Sequence, residues 1–235
     1  VDAVLLGEGF VAYSPIQLNE YNYDGVEKYD FDLAKAEAAF LAAGCEVVAV
    51  GDGPEGEWEP KFRELGIRYR QIPVQRNGTD PVRDLATLKA LIGLLRREKP
   101  DRIFAYQAKT VIYGGIAAGL CGIREFYPLI AGVGSVFLGS SPRQKLIRSI
   151  LVAEYRLGMG RAPKVFFQNR DDLKVFTDAK ILPEHKAVML HGSGVNVEKF
   201  IPTPLPSEPG FLCISRLIRD KGVFTEYEGF FPTCL

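Results

Sequence analysis

The chain has little of what builds metal centres and nucleophile triads. Its 235 residues include two histidines, His185 and His191, and four cysteines, Cys45, Cys121, Cys213 and Cys234. The cysteines lie far apart, with no CxxC pair and no histidine at ligand spacing, which argues against structural zinc. Three of them sit in apolar or small-residue runs, as buried free thiols do, so a reducing, cytoplasmic setting is expected. Two histidines so placed support no Ser–His–Asp arrangement. No apolar run is long enough to span a bilayer, and no signal peptide is evident. Neither sign of charge dominates: 29 basic and 29 acidic side chains cancel. Global electrostatics therefore gives no case for nucleic acid as a partner.

What the chain does have is regular alternation of strand and helix patterns. Short apolar strands are expected at Ala3–Leu6, Glu46–Val50, Ile67–Val74, Arg102–Ala105, Phe126–Ala131, Lys164–Gln168 and Ala187–Leu190. Helices are expected between them, at Asp32–Phe40, Glu57–Leu65, from Asp80-Pro81 to Lys99-Pro100, Val111–Cys121, 142–158 and Asp171–Thr177. Asp80 before Pro81 is a start signal, since aspartate caps and proline suits the first helical turn. Leu85, Leu88, Ile92 and Leu95 form the predicted buried stripe of that helix. Repeated strand–helix units imply an α/β fold: a Rossmann-like parallel sheet with helices on both faces. Ligands of such sheets bind beyond the C-terminal strand ends.

Residues 1–200 read as one such domain. Prolines 202, 204, 206 and 209 stiffen a linker at 201–210. A new strand opens at 211, so residues 211–235 are expected to be the incomplete start of a second domain, too short to bury a core alone. Arg216 and Lys221 lie just past that strand, where paired cations suit a diphosphate.

Five segments occur in order: Tyr113-Gly114-Gly115, 130–137, 166–172, Gly192-Ser193-Gly194-Val195-Asn196, and Ser215-Arg216-Leu217 followed by Lys221-Gly222. Together they resemble the GT-B glycosyltransferases of family 4, and among them bacterial enzymes acting on lipid-diphosphate-linked saccharides. The resemblance implies two facing Rossmann-like domains, an acceptor on the first and a nucleotide sugar on the second. It also implies transfer with retention of configuration and no bound metal or other cofactor. It matches Arg216 and Lys221 to the positions that hold the donor diphosphate, and makes Gly192, Ser193 and Gly194 the interdomain turn. The expected partners are a nucleotide sugar and a lipid-diphosphate-linked saccharide, with work at the inner face of the cytoplasmic membrane. The alternatives are a GT-B nucleotide-sugar epimerase and a non-catalytic fragment that binds only acceptor or membrane.

Gln107 and Lys109 follow a strand end and are placed on the acceptor-side cleft, where Lys109 can meet a phosphate or simply be solvated. Gly132 and Gly134 sit in a loop after the next strand; their backbone can approach a phosphate or sugar, or glycine can serve a tight turn. Arg143, Lys145 and Arg148 lie with Leu146, Ile147, Ile150 and Leu151 on one helix, which reads either as a face for an anionic membrane or as a core helix with solvated arginines. The Asp30-Phe31-Asp32 triplet resembles a metal motif of another fold, but a helix cap explains it better.

Overall fold

The computed structural model describes residues 3–7 (backbone only), 44–74, 80–133, 137, 141–190 and 204. The expected helix at Asp32–Phe40, the DxD triplet, Gly134, Gly192, Ser193, Gly194, Arg216 and Lys221 lie outside the described residues. The chain divides into two compact units, Val1–Val195 and Asn196–Leu235. All the described secondary structure belongs to the first of these units.

The elements are β1 (Ala3–Gly7), β2 (Val47–Gly51), α1 (Glu55–Glu64), β3 (Arg68–Gln71), α2 (Pro81–Glu98), β4 (Arg102–Tyr106), α3 (Ala108–Cys121), β5 (Glu125–Ile130), α4 (Pro142–Met159), β6 (Val165–Phe167), α5 (Arg170–Asp178) and β7 (Ala187–Met189), with a 3-10 turn at Glu184–Lys186. The described strands form a seven-stranded sheet in the order β3-β2-β1-β4-β5-β6-β7. Every pairing is parallel. The order runs outward from β1 in both directions, so β1 and β4 flank the switch point at which such sheets bind ligands.

Strand residues alternate between two cores, as a period of two requires. Val47, Ala49 and Tyr69 pack with Trp58 and Phe62 of α1. Val48, Val50, Ile103, Ala105 and Phe126 join the larger core with Leu91 and Leu95 of α2, Ile112 and Ala118 of α3, Tyr155 and Met159 of α4, and Phe176 of α5. Helices therefore cover both faces, with α3 packed against α2 on one side and α4 on the other.

Local chemistry sets the ends. Asp80 caps α2, its carboxylate accepting from the backbone of Val82 at 3.0 Å and Arg83 at 3.3 Å. Ser141 and Gln144 form a reciprocal capping box at the start of α4. Asn169 caps α5, accepting from the Asp172 backbone at 2.8 Å while its amide donates to the Asp172 carboxylate at 2.6 Å.

Two expectations change. β3 is shorter than Ile67–Val74: its register with β2 ends at Gln71 opposite Gly51, and Pro73 offers no N–H to continue a ladder. The stripe of α2 is also rotated. Leu85 is 65% exposed, while Thr87, Leu91, Leu94, Leu95 and Glu98 are the buried positions.

Candidate functional site

The turn from β4 into α3 sits at the C-terminal edge of the sheet, beside the switch point. Gln107 occupies it with φ 75° and ψ 150°, a region that is close to glycine-only. The conformation is held from below. The buried Thr110 hydroxyl bonds the Tyr106 carbonyl and lies 3.1 Å from the Gln107 carbonyl. The Val111 N–H donates to the Gln107 carbonyl at 3.0 Å. Gln107 does not cap α3 with its side chain, so its half-buried amide serves no local structural bond there.

Lys109, in the first turn of α3, is mostly buried. Its ammonium donates to the Asp84 carboxylate of α2 at 2.6 Å, with 13% and 15% of the two side chains exposed. One turn on, the Tyr113 hydroxyl lies 3.5 Å from the Glu154 carboxylate of α4. Burial pushes the Tyr113 phenol well above its ordinary range, and the charges of Glu154 and Asp84 add to the shift. Burial and then the Asp84 charge push the Glu154 carboxyl up; the Tyr113 hydrogen bond and the Lys109 charge pull it back only in part. Asp84, Lys109, Tyr113 and Glu154 thus tie α2, α3 and α4 together just beneath the strand-end edge.

Sequence alone places Gln107 and Lys109 at this edge and misses the other three members. A phosphate at Lys109 would have to compete with Asp84 for the ammonium. The overlooked signal was Glu154, the one acid in an otherwise basic and apolar helix. Gly132 lies just beyond β5, exposed, with nothing within 4 Å of an added Cβ and no left-handed backbone. Among the described residues, neither packing nor backbone geometry accounts for a glycine there. Among the described residues no group of three or more His, Cys, Asp or Glu could hold a metal ion, and no helix is long and apolar enough to cross a membrane. Two shallow depressions lie elsewhere, one at Thr177–Glu184 and one lined by Leu95, Lys99, Cys121 and Ile123.

Two of the three cations assigned to a membrane face, Arg143 and Lys145, are exposed on the first turn of α4. Arg148 differs. It is half-buried, and its guanidinium donates to the Phe137 carbonyl at 3.1 Å.

Comparison with known proteins puts this edge in context. Residues 24–197 match the family model of the glycosyl transferase 4-like domain. A curated relative from Campylobacter jejuni, N,N'-diacetylbacillosaminyl-diphospho-undecaprenol alpha-1,3-N-acetylgalactosaminyltransferase, is 25% identical over 189 residues, covering 74% of this chain and 50% of the relative. The chain therefore spans about half the length of the curated relative it matches. Among solved structures, the lipopolysaccharide outer core galactosyltransferase WaaB superimposes with a TM-score of 0.54 at 13% identity, over 97% of this chain and 58% of that one. A glycosyltransferase from Rickettsia africae gives 0.50 at 13% identity, over 100% and 51%. These likenesses show the fold, a Rossmann-like sheet of GT-B type. The family model covers most of the sequence, and the chain belongs to the glycosyl transferase 4-like family.

Proposed function

We propose that this chain supplies the acceptor side of a glycosyltransferase. The enzyme would move a hexosyl or acetamido-hexosyl unit from a nucleoside-diphosphate sugar to a lipid-diphosphate-linked saccharide. The observation that carries this reading is the match of residues 24–197 to a glycosyltransferase domain. It is narrowed by a relative whose name specifies a diphospho-undecaprenol acceptor. In the reaction the acceptor hydroxyl oxygen bonds to the anomeric carbon, the bond from that carbon to the diphosphate breaks, the hydroxyl proton is lost and nucleoside diphosphate leaves. Retention of configuration and independence of metal belong to the same proposal. Arg216 and Lys221 are the residues to neutralise charge on the leaving diphosphate.

The acceptor would lie along the edge formed by Gln107 and Gly132. Two features of that edge support the assignment: a strained backbone at Gln107, of a kind that clusters at functional sites, and a glycine that packing does not explain. Asp84 already holds Lys109, so the role fitted to that lysine is to fix the start of α3, with acceptor phosphate as its competitor ligand. Nucleotide-sugar epimerisation is the rival chemistry, and a product assay separates the two. Release of nucleoside diphosphate only when lipid-diphosphate saccharide is present is the expected result. Epimerised nucleotide sugar formed without acceptor would replace the transferase reading.

A further inference from the structure

The inner face of α4 carries a charge where the helix reaches the strand ends. Val152 packs against the large core, and Tyr155 and Met159 are buried in it. One step of four residues back from Val152 puts Arg148 on the same stripe. Its level follows from the contacts between α3 and α4, which run in the same direction because each returns from one strand end to the next parallel strand. Glu154 faces Tyr113, and Gly158 meets the Ile112 backbone. Tyr113 lies five residues after Ala108, the first of α3, and Arg148 lies six residues before Glu154. At the helical rise those separations are about 7.5 Å and about 9 Å. Arg148 therefore stands level with the turn that carries Gln107.

Among the described residues, the partner of this half-buried guanidinium is a single backbone carbonyl, that of Phe137. A guanidinium has five N–H donors, and this bond uses one. No carboxylate among the described residues lies within ion-pair distance of it. Phe137 is itself fixed, 8% exposed and with its ring 6.1 Å from that of Phe176 in α5. The bond therefore orients the guanidinium without neutralising it. Arg156 on the same helix is the contrast. It donates to the carbonyls of Lys180 at 2.9 Å and Ala179 at 2.6 Å, at the C-terminal end of α5, where the helix dipole favours a cation. Packing gives Arg148 no such reason. A part-buried cation without a counter-charge is costly, and its place at the ligand edge points to an anion.

We infer that Arg148 is a diphosphate-binding residue and, on the transferase reading above, that it holds the diphosphate of the lipid-linked acceptor. Its planar fork matches phosphate oxygens two at a time, and the bond to Phe137 sets its orientation before the ligand arrives. Lys109 at the same edge is already held by Asp84, which leaves Arg148 as the cation with donors to spare. The ligand is thereby divided: saccharide along Gln107 and Gly132, diphosphate against the inner face of α4. The donor diphosphate keeps its separate assignment to Arg216 and Lys221.

Calorimetric titration of the 235-residue chain tests it, with inorganic pyrophosphate and with a water-soluble short-chain prenyl-diphosphate saccharide as probes. Wild type is expected to bind both, more weakly as salt rises. Arg148→Gln keeps N–H donors for the Phe137 carbonyl and removes the charge; it should weaken both by about 10- to 100-fold. Arg148→Lys, which restores charge without the fork, should recover part of the loss. Arg96→Gln removes an exposed charge at the opposite edge and should change neither. Unaltered thermal melts would show that each variant is folded. Equal affinities of wild type and Arg148→Gln for the two probes would overturn the inference, as would no pyrophosphate binding by wild type. Pyrophosphate held through Arg148 by a chain that ignores the saccharide diphosphate would keep the anion site and remove the acceptor reading. Tighter Arg148-dependent binding of a nucleoside diphosphate than of the saccharide diphosphate would overturn the acceptor assignment and move Arg148 to the donor.

Discussion

Glu98 and Glu154 are two carboxylates of one helical layer with opposite surroundings. Glu98 ends α2 with 6% of its side chain exposed, 2.9 Å from Arg68, 3.5 Å from Arg70 and 3.3 Å from Arg97. Burial alone would push its carboxyl up; the hydrogen bond and charge of Arg68, helped by Arg97 and Arg70, more than offset this and hold it below its ordinary 4.5. Such a group stabilises the fold above the ordinary value, and that contribution is lost as pH falls through the lowered one. Glu154 is the reverse case. Its raised carboxyl favours the fold below 4.5, and the benefit disappears as pH rises through the raised value. Glu98→Gln should therefore destabilise the protein at neutral pH, by about 1–2 kcal/mol, and flatten its acid-side loss. Glu154→Gln should shift neutral stability upward. Urea melts from about pH 2 to about pH 8 would show both, since the Glu98 loss lies below the ordinary carboxylate value and the Glu154 loss above it; parallel profiles for the two variants would refute the assignment.

At the scale of elements, the crossing of α3 and α4 rests on glycine. A Cβ on Gly158 would sit 2.7 Å from the Ile112 carbonyl oxygen, and one on Gly115 would strike the Gly158 carbonyl. Both obstacles are backbone, which cannot swing aside. Gly115→Ala should cost about 1–3 kcal/mol through overpacking. Gly93→Ala is the contrast. It lies inside α2 with nothing within 4 Å of an added Cβ, so it should gain about 0.5–1 kcal/mol from helix propensity. Denaturant midpoints of the two variants should move in opposite directions.

The same elements show what the sequence could and could not reveal. Local signals were readable: Asp80 with Pro81 marked the start of α2, because capping and the first-turn proline act within a few residues. The rotation of α2 was not readable. Its buried face begins at Thr87, whose hydroxyl bonds the Pro73 carbonyl and lies 3.1 Å from the Arg83 carbonyl. That face ends at Glu98, neutralised by arginines from β3. Polar residues are buried only where distant partners satisfy them, and those partners belong to the tertiary fold. The site divides along the same line. Gln107 and Lys109 could be placed by following a strand to its end, whereas Asp84 and Glu154 reach the Lys109–Tyr113 turn of α3 from α2 and α4, which meet α3 only on folding.

For the molecule as a whole, a parallel sheet with its switch point between β1 and β4 gathers strand ends, strained turn and charged helix layer at one edge. Alternation of strand and helix was enough to predict that sheet, because parallel strands need helical crossovers and the crossovers are right-handed. The central claim is that a lipid-diphosphate saccharide binds along this edge. Photo-crosslinking with an analogue carrying the reactive group on its saccharide, followed by peptide mapping, tests that claim most directly. The account predicts adducts on the Tyr106–Tyr113 segment and at Gly132–Val133, suppressed by excess unlabelled acceptor. Competable adducts confined to the opposite edge, around Arg96, Lys99 and Arg124, would contradict it.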